Sequence, residues 1–595
     1  MASYLDRALQ QHQSDYQPAL ATQYITSPTD ANRSDLGHSF MRFGPPTVQN
    51  NLSQAQEESL LASFWNTHHR IYPILDEAEF RTHHRSLWET SRLCRQPSAL
   101  VDVVLAICLQ HAAIASPETF ANSGFDSLLL SDATISGRWF YRRCHFQLGD
   151  ELEGPSIKTF QCYLLSVIWL SNASFQNMAH SVMATGIRTG IILGLHLEPP
   201  EDLPPSQREF RKRLWWTLYA LEMKMGMELG RPLAVSITQV ICSLPADYSE
   251  LENMSQTTSN RPSPFNAQFV KLILATRAIY ITFYRKCADV LGLNGQPNLY
   301  QNAKGLEACA EFLQSKVNYL QIWLYQVPDS LKYPRKNLGQ PFSTDRSMLN
   351  IELNSARSIF PLQSLFLELL YHNLAMSLFR PFISFSRVPG SSAPVTDSHA
   401  ASCINHAIAI TGILHQALTE TILLTGWQES FQWQWNAVLS LIGYILTYPA
   451  GSLTTVARKA ISTAITVFEL LSENFSSAVS AANVTRDLAA KADLLVERSR
   501  ASFDADIPHS SEFSSTWTHM PDSAPTDLTS MGSNHTSSPD IFPFLAQEEP
   551  SPFQNTLTNS SGFAFNVDSL LGLEDVGAEN SMAFDFLDFG NIGDL

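Results

Sequence analysis

The chain has 595 residues with 39 Lys and Arg against 56 Asp and Glu, a net charge of −17. Residues 501–595 hold ten Asp, five Glu and no Lys or Arg, so the acidity lies in the tail and the first 500 residues carry only −2. This excludes a uniformly acidic, solvated protein, and equally a basic one that coats nucleic acid. Five hundred near-neutral residues rich in Leu, Ile, Phe and Trp can bury a large core, as two to four domain-sized units or one large helical array.

Residues 1–53 are rich in Gln, Ser, Thr and Asn and show no apolar period, which predicts a disordered lead. The N-terminal MASYLDRALQQ is charged and polar, unlike a signal peptide. From Gln54 the pattern turns helical. Leu60, Leu61, Phe64 and Trp65 share a face, Pro73 closes the segment, and Asp76 can cap the next helix. Helical periods then recur over 99–115, 157–170, 178–195, 209–229, 265–291, 306–325, 355–379, 400–424, 433–448, 456–475 and 485–500. The long uncharged stretch 159–187 is broken by Gln161, Asn172, Gln176, Asn177 and His180, and reads as a soluble helix pair rather than a membrane span. Strand-like alternation is scarce, so 54–500 is expected to be an all-α, multi-helix domain. Ser, Thr, Pro and Asp dominate 501–540, a linker composition. Residues 541–595 set apolar islands in acid, and residues 501–595 carry ten of the chain's 34 Phe.

The chemistry of catalysis is not written here. GxSxG, P-loop, GxGxxG and HExxH patterns are all absent, so no enzyme is expected. The eight cysteines contain no CxxC pair and form no disulfide framework, as in a reducing, intracellular compartment. His68–His69 and His83–His84 lie near Cys94, but their spacing matches no standard metal-ligand pattern and favours exposed helix-end histidines. Gly186, Gly190 and Gly194 recur every fourth residue, a smooth stripe for close helix packing.

The helix from Arg208 to Leu229 carries Arg208, Arg211, Lys212 and Arg213 ahead of Trp215 and Trp216. Basic residues with aromatics can grip nucleic acid through phosphates and stacking. The alternative is a core helix whose Arg stems cover apolar surface while their heads reach water. Glu201, Asp202 and Glu209 cancel much of the positive field and favour the core reading, in which cation–π contacts of Arg211 or Arg231 with the Trp pair are structural. In the tail, Phe584, Phe586, Leu587 and Phe589 alternate with Asp585 and Asp588. Mutual repulsion of the acids keeps these aromatics available to a coactivator groove, with Phe586 and Phe589 on one helical face.

Four segments in order resemble the middle regulatory region of fungal binuclear zinc-cluster transcription factors, the fungal-specific transcription factor domain. They are His68 to Phe80 around Pro73, Gly194 to Pro200, Glu209 to Pro232 with Trp215, Trp216, Gly230, Arg231 and Pro232, and Tyr371 to Phe382 with Arg380 and Pro381. The resemblance spans roughly residues 60–430. It implies a nuclear transcriptional activator of a metabolic gene set, specialised metabolism included, that binds DNA and recruits coactivator or transcription machinery through the tail. Homodimer and heterodimer are both open, and no membrane contact is implied. The family's DNA-binding module is six cysteines on two zinc ions near the N-terminus, yet residues 1–93 contain no cysteine. The expectation is therefore that this chain holds no cofactor of its own, with zinc entering only through a missing N-terminal cluster. DNA is then reached through that module or a partner factor. The alternative is a co-regulator or dominant-negative scaffold that binds other zinc-cluster factors and lacks its own DNA reader.

Overall fold

A computed structural model describes residues 52–89, 95–115, 133–246, 264–294, 298–353, 360–385, 393–472 and 475–505. The N-terminal lead, the linker beyond 505 and the acidic tail, with Phe584, Phe586, Leu587 and Phe589, lie outside the described residues. The described chain is built of α-helices joined by short 3-10 turns, and its single isolated bridge, Arg335 with Leu349, makes no strand. No helix among the described residues is long and apolar enough to cross a membrane.

The helices are α1 (Gln54–Asn66), α2 (His68–Ile71), α3 (Glu77–Ser86), α4 (Ala99–Ala115), α5 (Arg138–Leu148), α6 (Ile157–Asn172), α7 (Gln176–Ile192) and α8 (Pro205–Leu229). There follow α9 (Phe265–Asn294), α10 (Ala303–Lys316), α11 (Asn318–Gln326), α12 (Pro361–Phe379), α13 (Pro394–Glu420), α14 (Gln428–Thr447), α15 (Thr454–Ser472) and α16 (Ser476–Ala505). Their ends follow local chemistry. A capping box joins Ser53 to Gln56 at the start of α1, and Asp76 accepts from Glu79 N at 2.8 Å to start α3. Prolines, which lack the N–H that a first turn leaves unpaired, open α8, α12 and α13. The expected helix 306–325 is two helices, α10 and α11, that meet at Val317. Helix α5 has no counterpart in the sequence reading.

Packing runs from neighbour to neighbour. Helix α4 takes α1, α5 and α6 around it, and α6, α7, α8 and α9 then pack in succession. Helix α9 carries α10, α11 and α12, while α13 collects α10, α12, α14 and α15. Stretches buried all round occur in α4, α6, α8 and α12, as in helices inside a large core. They run from Ala99 to Gln110, Thr159 to Leu170, Leu214 to Gly226 and Leu362 to Met376.

Several charged groups in this interior are paired. Asp102 on α4 accepts from Arg95 at 2.6 Å, from Gln147 at 3.2 Å and from Arg143, and Arg95 also reaches Glu57 on α1 at 3.0 Å. Glu57 in turn meets His84 at 2.7 Å. On α12, Glu368 accepts from Phe342 N at 2.6 Å and from Arg335, and His372 lies 2.8 Å from His406. The histidine expectation is thus corrected. His68 and His84 are buried, and His69 and His83 are half-buried against the Leu75 carbonyl and Ser98. No group of three metal-ligating side chains occurs among the described residues. All seven cysteines in the described residues are buried free thiols.

The glycine stripe divides by position. A Cβ at Gly190 would fall 2.8 Å from the Phe160 ring and 3.3 Å from Trp215, so close packing of α6 and α8 on α7 requires glycine there. Gly194 faces open space at φ +68° and serves as the left-handed residue beyond the end of α7.

Candidate functional site

The residues singled out in the sequence fall into two groups. The first is structural. Trp215 and Trp216 are 1% and 2% exposed, so the pair belongs to the core and offers no stacking surface. The Trp216 indole donates to the Ser243 carbonyl at 2.9 Å. Of the basic residues ahead of them, Lys212 lies 2.7 Å from Glu198, and burial pushes the Arg213 pKa down. The expected cation–π contacts of Arg211 or Arg231 with the Trp pair do not form. Arg231 instead donates to Asn177, and the close guanidinium–aromatic contact on α8 is Arg277 from α9, 4.8 Å over the Tyr219 ring. Gly230 ends α8 at φ +61°, a backbone that Cβ-bearing residues resist. The chain beyond Pro232 is braced by Glu222, which accepts from Ala234 N at 2.6 Å and from Arg277 at 3.2 Å.

The second group meets at a cavity. The segment around Pro73 turns so that Tyr72 and Ile74 are buried, while the Ile74 carbonyl accepts from Gln161 at 2.7 Å. Tyr72 thereby faces Lys224 and Glu228, one turn apart on α8, and Glu429 in the first turn of α14. These four residues line a cavity of about 70 Å³, and its apolar wall is Val167, Ile168, Leu221, Met225 and Phe431. The Lys224 ammonium donates to the Tyr72 hydroxyl at 3.3 Å, and that hydroxyl donates to Glu429 at 3.1 Å. Lys224 lies 3.9 Å from Glu429 and 5.7 Å over the Phe366 ring. Phe366 is itself held by Tyr72, Phe265, Trp427 and Trp433, so the floor of the site is a locked aromatic cluster.

Glu228 makes no hydrogen bond or ion pair among the described residues. Burial raises its pKa, Lys224 and Arg380 pull it back, and Glu429 raises it further. Arg380, at the end of α12, donates to Ser440 at 3.2 Å and leaves one buried guanidinium N–H group unpartnered. Burial lowers its pKa, against the field of Glu228. Pro381 and Phe382 beside it are buried. Burial also raises the Tyr72 pKa, with Glu429 adding to it. No rearrangement of these groups suggests bond-breaking chemistry. The arrangement is a small, half-open cavity in which an ammonium and two carboxylates stand close together.

The comparisons with known proteins agree with this architecture. Residues 61–313 match the family described as Fungal specific transcription factor domain. The transcription factor asqA of Emericella nidulans is 37% identical over 475 residues, 77% of this chain and 82% of that protein. The terreic acid cluster-specific transcription factor atF of Aspergillus terreus is 34% identical over 468 residues, 76% of this chain and 70% of that protein. The oosporein cluster regulator OpS3 of Beauveria bassiana is 24% identical over 480 residues, 75% of this chain and 62% of that protein.

The chain belongs to the fungal-specific transcription factor family.

The segments around Pro73 and on α8 sit far apart in sequence, yet Tyr72, Lys224 and Glu228 line one cavity, and Arg380 acts on Glu228 through its charge. As a fungal-specific transcription factor the chain is a regulator of transcription and not an enzyme. The sequence reading missed Lys224, Glu228 and Glu429. A signal was present in ALEMKMGMEL, where Glu222, Lys224 and Glu228 interrupt an otherwise apolar helix. A charge in such a run has to be paired in the interior or exposed at a site.

Proposed function

We propose that this chain activates, in the nucleus, the genes of a specialised-metabolism cluster. Its helical domain is the regulatory body and residues 541–595 contact coactivator or transcription machinery through Phe584, Phe586, Leu587 and Phe589. The observation that carries the reading is the identity to asqA and atF over three quarters of the chain, the second being a cluster-specific factor by name. The charge pattern of the tail supports the activating role independently: fifteen acids with no Lys or Arg in 95 positions, carrying ten Phe. DNA is reached through a zinc-cluster module or a partner factor that carries one, as a homodimer or heterodimer. The test has two arms. Fused to an unrelated DNA-binding module, the chain should drive a reporter, and deletion of 541–595 should abolish that activity. In the source organism, deletion of the gene should silence a contiguous set of biosynthetic genes. Full reporter activity from the truncated fusion overturns the role of the tail, and unchanged transcripts overturn the cluster assignment.

A further inference from the structure

Helix α7 packs on α6 and α8 through the face that holds Ala179, Met183, Gly186 and Gly190. Its opposite face, with Met178, Ser181, Ala184, Arg188, Ile191 and Ile192, is exposed. These positions recur at helical spacing and form one continuous strip. Met178, Ile191 and Ile192 are 41%, 37% and 68% exposed, and Leu197 and Ile241 adjoin the end of the helix at 41% and 70%. The Ile241 N–H donates to the His196 carbonyl at 2.9 Å, which sets Ile241 beside Leu197. Five of the sixteen large apolar side chains exposed among the described residues thus lie on α7 or against its end. Apolar groups gathered in this way mark a contact surface.

The two ends of the strip carry opposite charge. At the N-terminal end Arg231 donates to Asn177, and the Arg138 guanidinium lies 5.7 Å over the Phe175 ring. At the C-terminal end Glu198, Glu201 and Asp202 are exposed, and Lys212 pairs with Glu198 alone. The helix dipole runs in the same sense, positive at Gln176 and negative at Ile192. A surface that is basic at one end and acidic at the other complements a copy of itself turned end for end. The acidic tail of the chain fits it less well, because Glu198, Glu201 and Asp202 repel it.

We propose that the outer face of α7 is a homodimer interface, on which α7 packs antiparallel to α7 of a second copy. The two-fold axis passes between Ala184 and Thr185, which sets Met178 against Ile191 of the second copy and Ser181 against its Arg188. The small side chains of Ser181 and Ala184 let the helix axes approach at the middle, and Met178 and Ile191 close both ends. Arg188 lays its stem along the strip and keeps its head in water. Glu201 and Asp202 of each copy face Arg138 and Arg231 of the other, so the same charge contacts form twice. The interface goes beyond the transcriptional reading and does not rest on it, because association is measured without DNA or a reporter.

The experiment is sedimentation equilibrium of the full chain over a wide range of concentration. The expected result is a reversible dimer whose dissociation constant rises about tenfold or more in Ile192→Asp, a change at an exposed position that leaves the core untouched. Disulfide trapping then reads the register, with oxygen and copper–phenanthroline as oxidant and the unaltered chain as control. Ala184→Cys meets its own counterpart across the axis and should link two chains. Met178→Cys lies about 20 Å along the helix from its counterpart and should not. The seven cysteines of the described residues are buried and do not compete. A chain that stays monomeric at every concentration overturns the proposal. So does a dimer that Ile192→Asp leaves intact, or Met178→Cys that links as efficiently as Ala184→Cys.

Discussion

The adjacent tryptophans of α8 give a stability test whose two halves differ for a stated reason. Both side chains are buried, and replacement of either by Ala should cost about 3–5 kcal/mol through lost contacts and an unfilled cavity. Replacement by Phe separates them. Trp216 donates its indole N–H to the Ser243 carbonyl at 2.9 Å, so Trp216→Phe loses that bond, while the carbonyl of exposed Ser243 can turn to water. The indole N–H of Trp215 is buried with no partner, so Trp215→Phe removes a group whose burial was uncompensated. A net hydrogen bond contributes about 1 kcal/mol and a stranded buried group costs about 1–3 kcal/mol. Trp216→Phe should therefore be the less stable of the two by about 2 kcal/mol. Urea unfolding followed by far-ultraviolet circular dichroism reads this without depending on indole fluorescence, and midpoints are comparable if the denaturant slopes agree. Two Phe variants with the same midpoint would refute the hydrogen-bond argument. Ala variants as stable as the unaltered chain would refute burial itself and restore the stacking-surface reading.

Other expectations follow from the same interior. Asp102→Asn keeps the shape but leaves Arg143 without its carboxylate and Arg95 with Glu57 alone, and should destabilise by about 3 kcal/mol in the same unfolding assay. Gly137 sits at φ +78°, and a Cβ there would lie 2.6 Å from the backbone of Ala106. Gly137→Ala should thus cost about 2 kcal/mol or more, read as a lowered unfolding midpoint. Burial lowers the His111 pKa to about 4 and also lowers that of His68 and His406. The unfolded chain takes up protons on these rings near pH 6.5 while the folded chain does not, so stability should be full above that pH and fall steadily toward pH 4. Stability that stays flat over this window would contradict the neutral, buried imidazoles.

The helical periods were legible because apolar residues at 3.6 spacing mark a buried face whatever that face meets. Ala99–Ala115 has the ends its pattern predicts. Boundaries slipped where a neighbour or a proline, not the pattern, set them. Helix α13 begins at Pro394, ahead of the expected position 400, because proline needs no N–H partner in the first turn. Helix α5 was invisible because RWFYRRCHFQL mixes arginines with aromatics, and what holds it is docking on α4, with Arg143 paired to Asp102. Of the residues singled out, Trp215, Trp216 and Pro381 are buried and Arg380 donates to Ser440. The cavity was not legible, since nothing local brings Tyr72 to Glu429. The pairing of those two residues is a property of the whole fold.

That pairing bears on how the protein is made. Tyr72 and Glu429 are 357 positions apart, Gln363 donates to the Arg70 carbonyl 293 positions away, and Gln428 donates to the Asn172 carbonyl across 256. At about 5–20 residues per second, the ribosome delivers the second partner of the longest of these pairs about 20–70 s after the first. Throughout that interval the faces of α2, α6 and α8 that await α12 and α14 stay uncovered and open to chaperones. A fragment ending at residue 313, where the family match stops, would be released with those same faces bare.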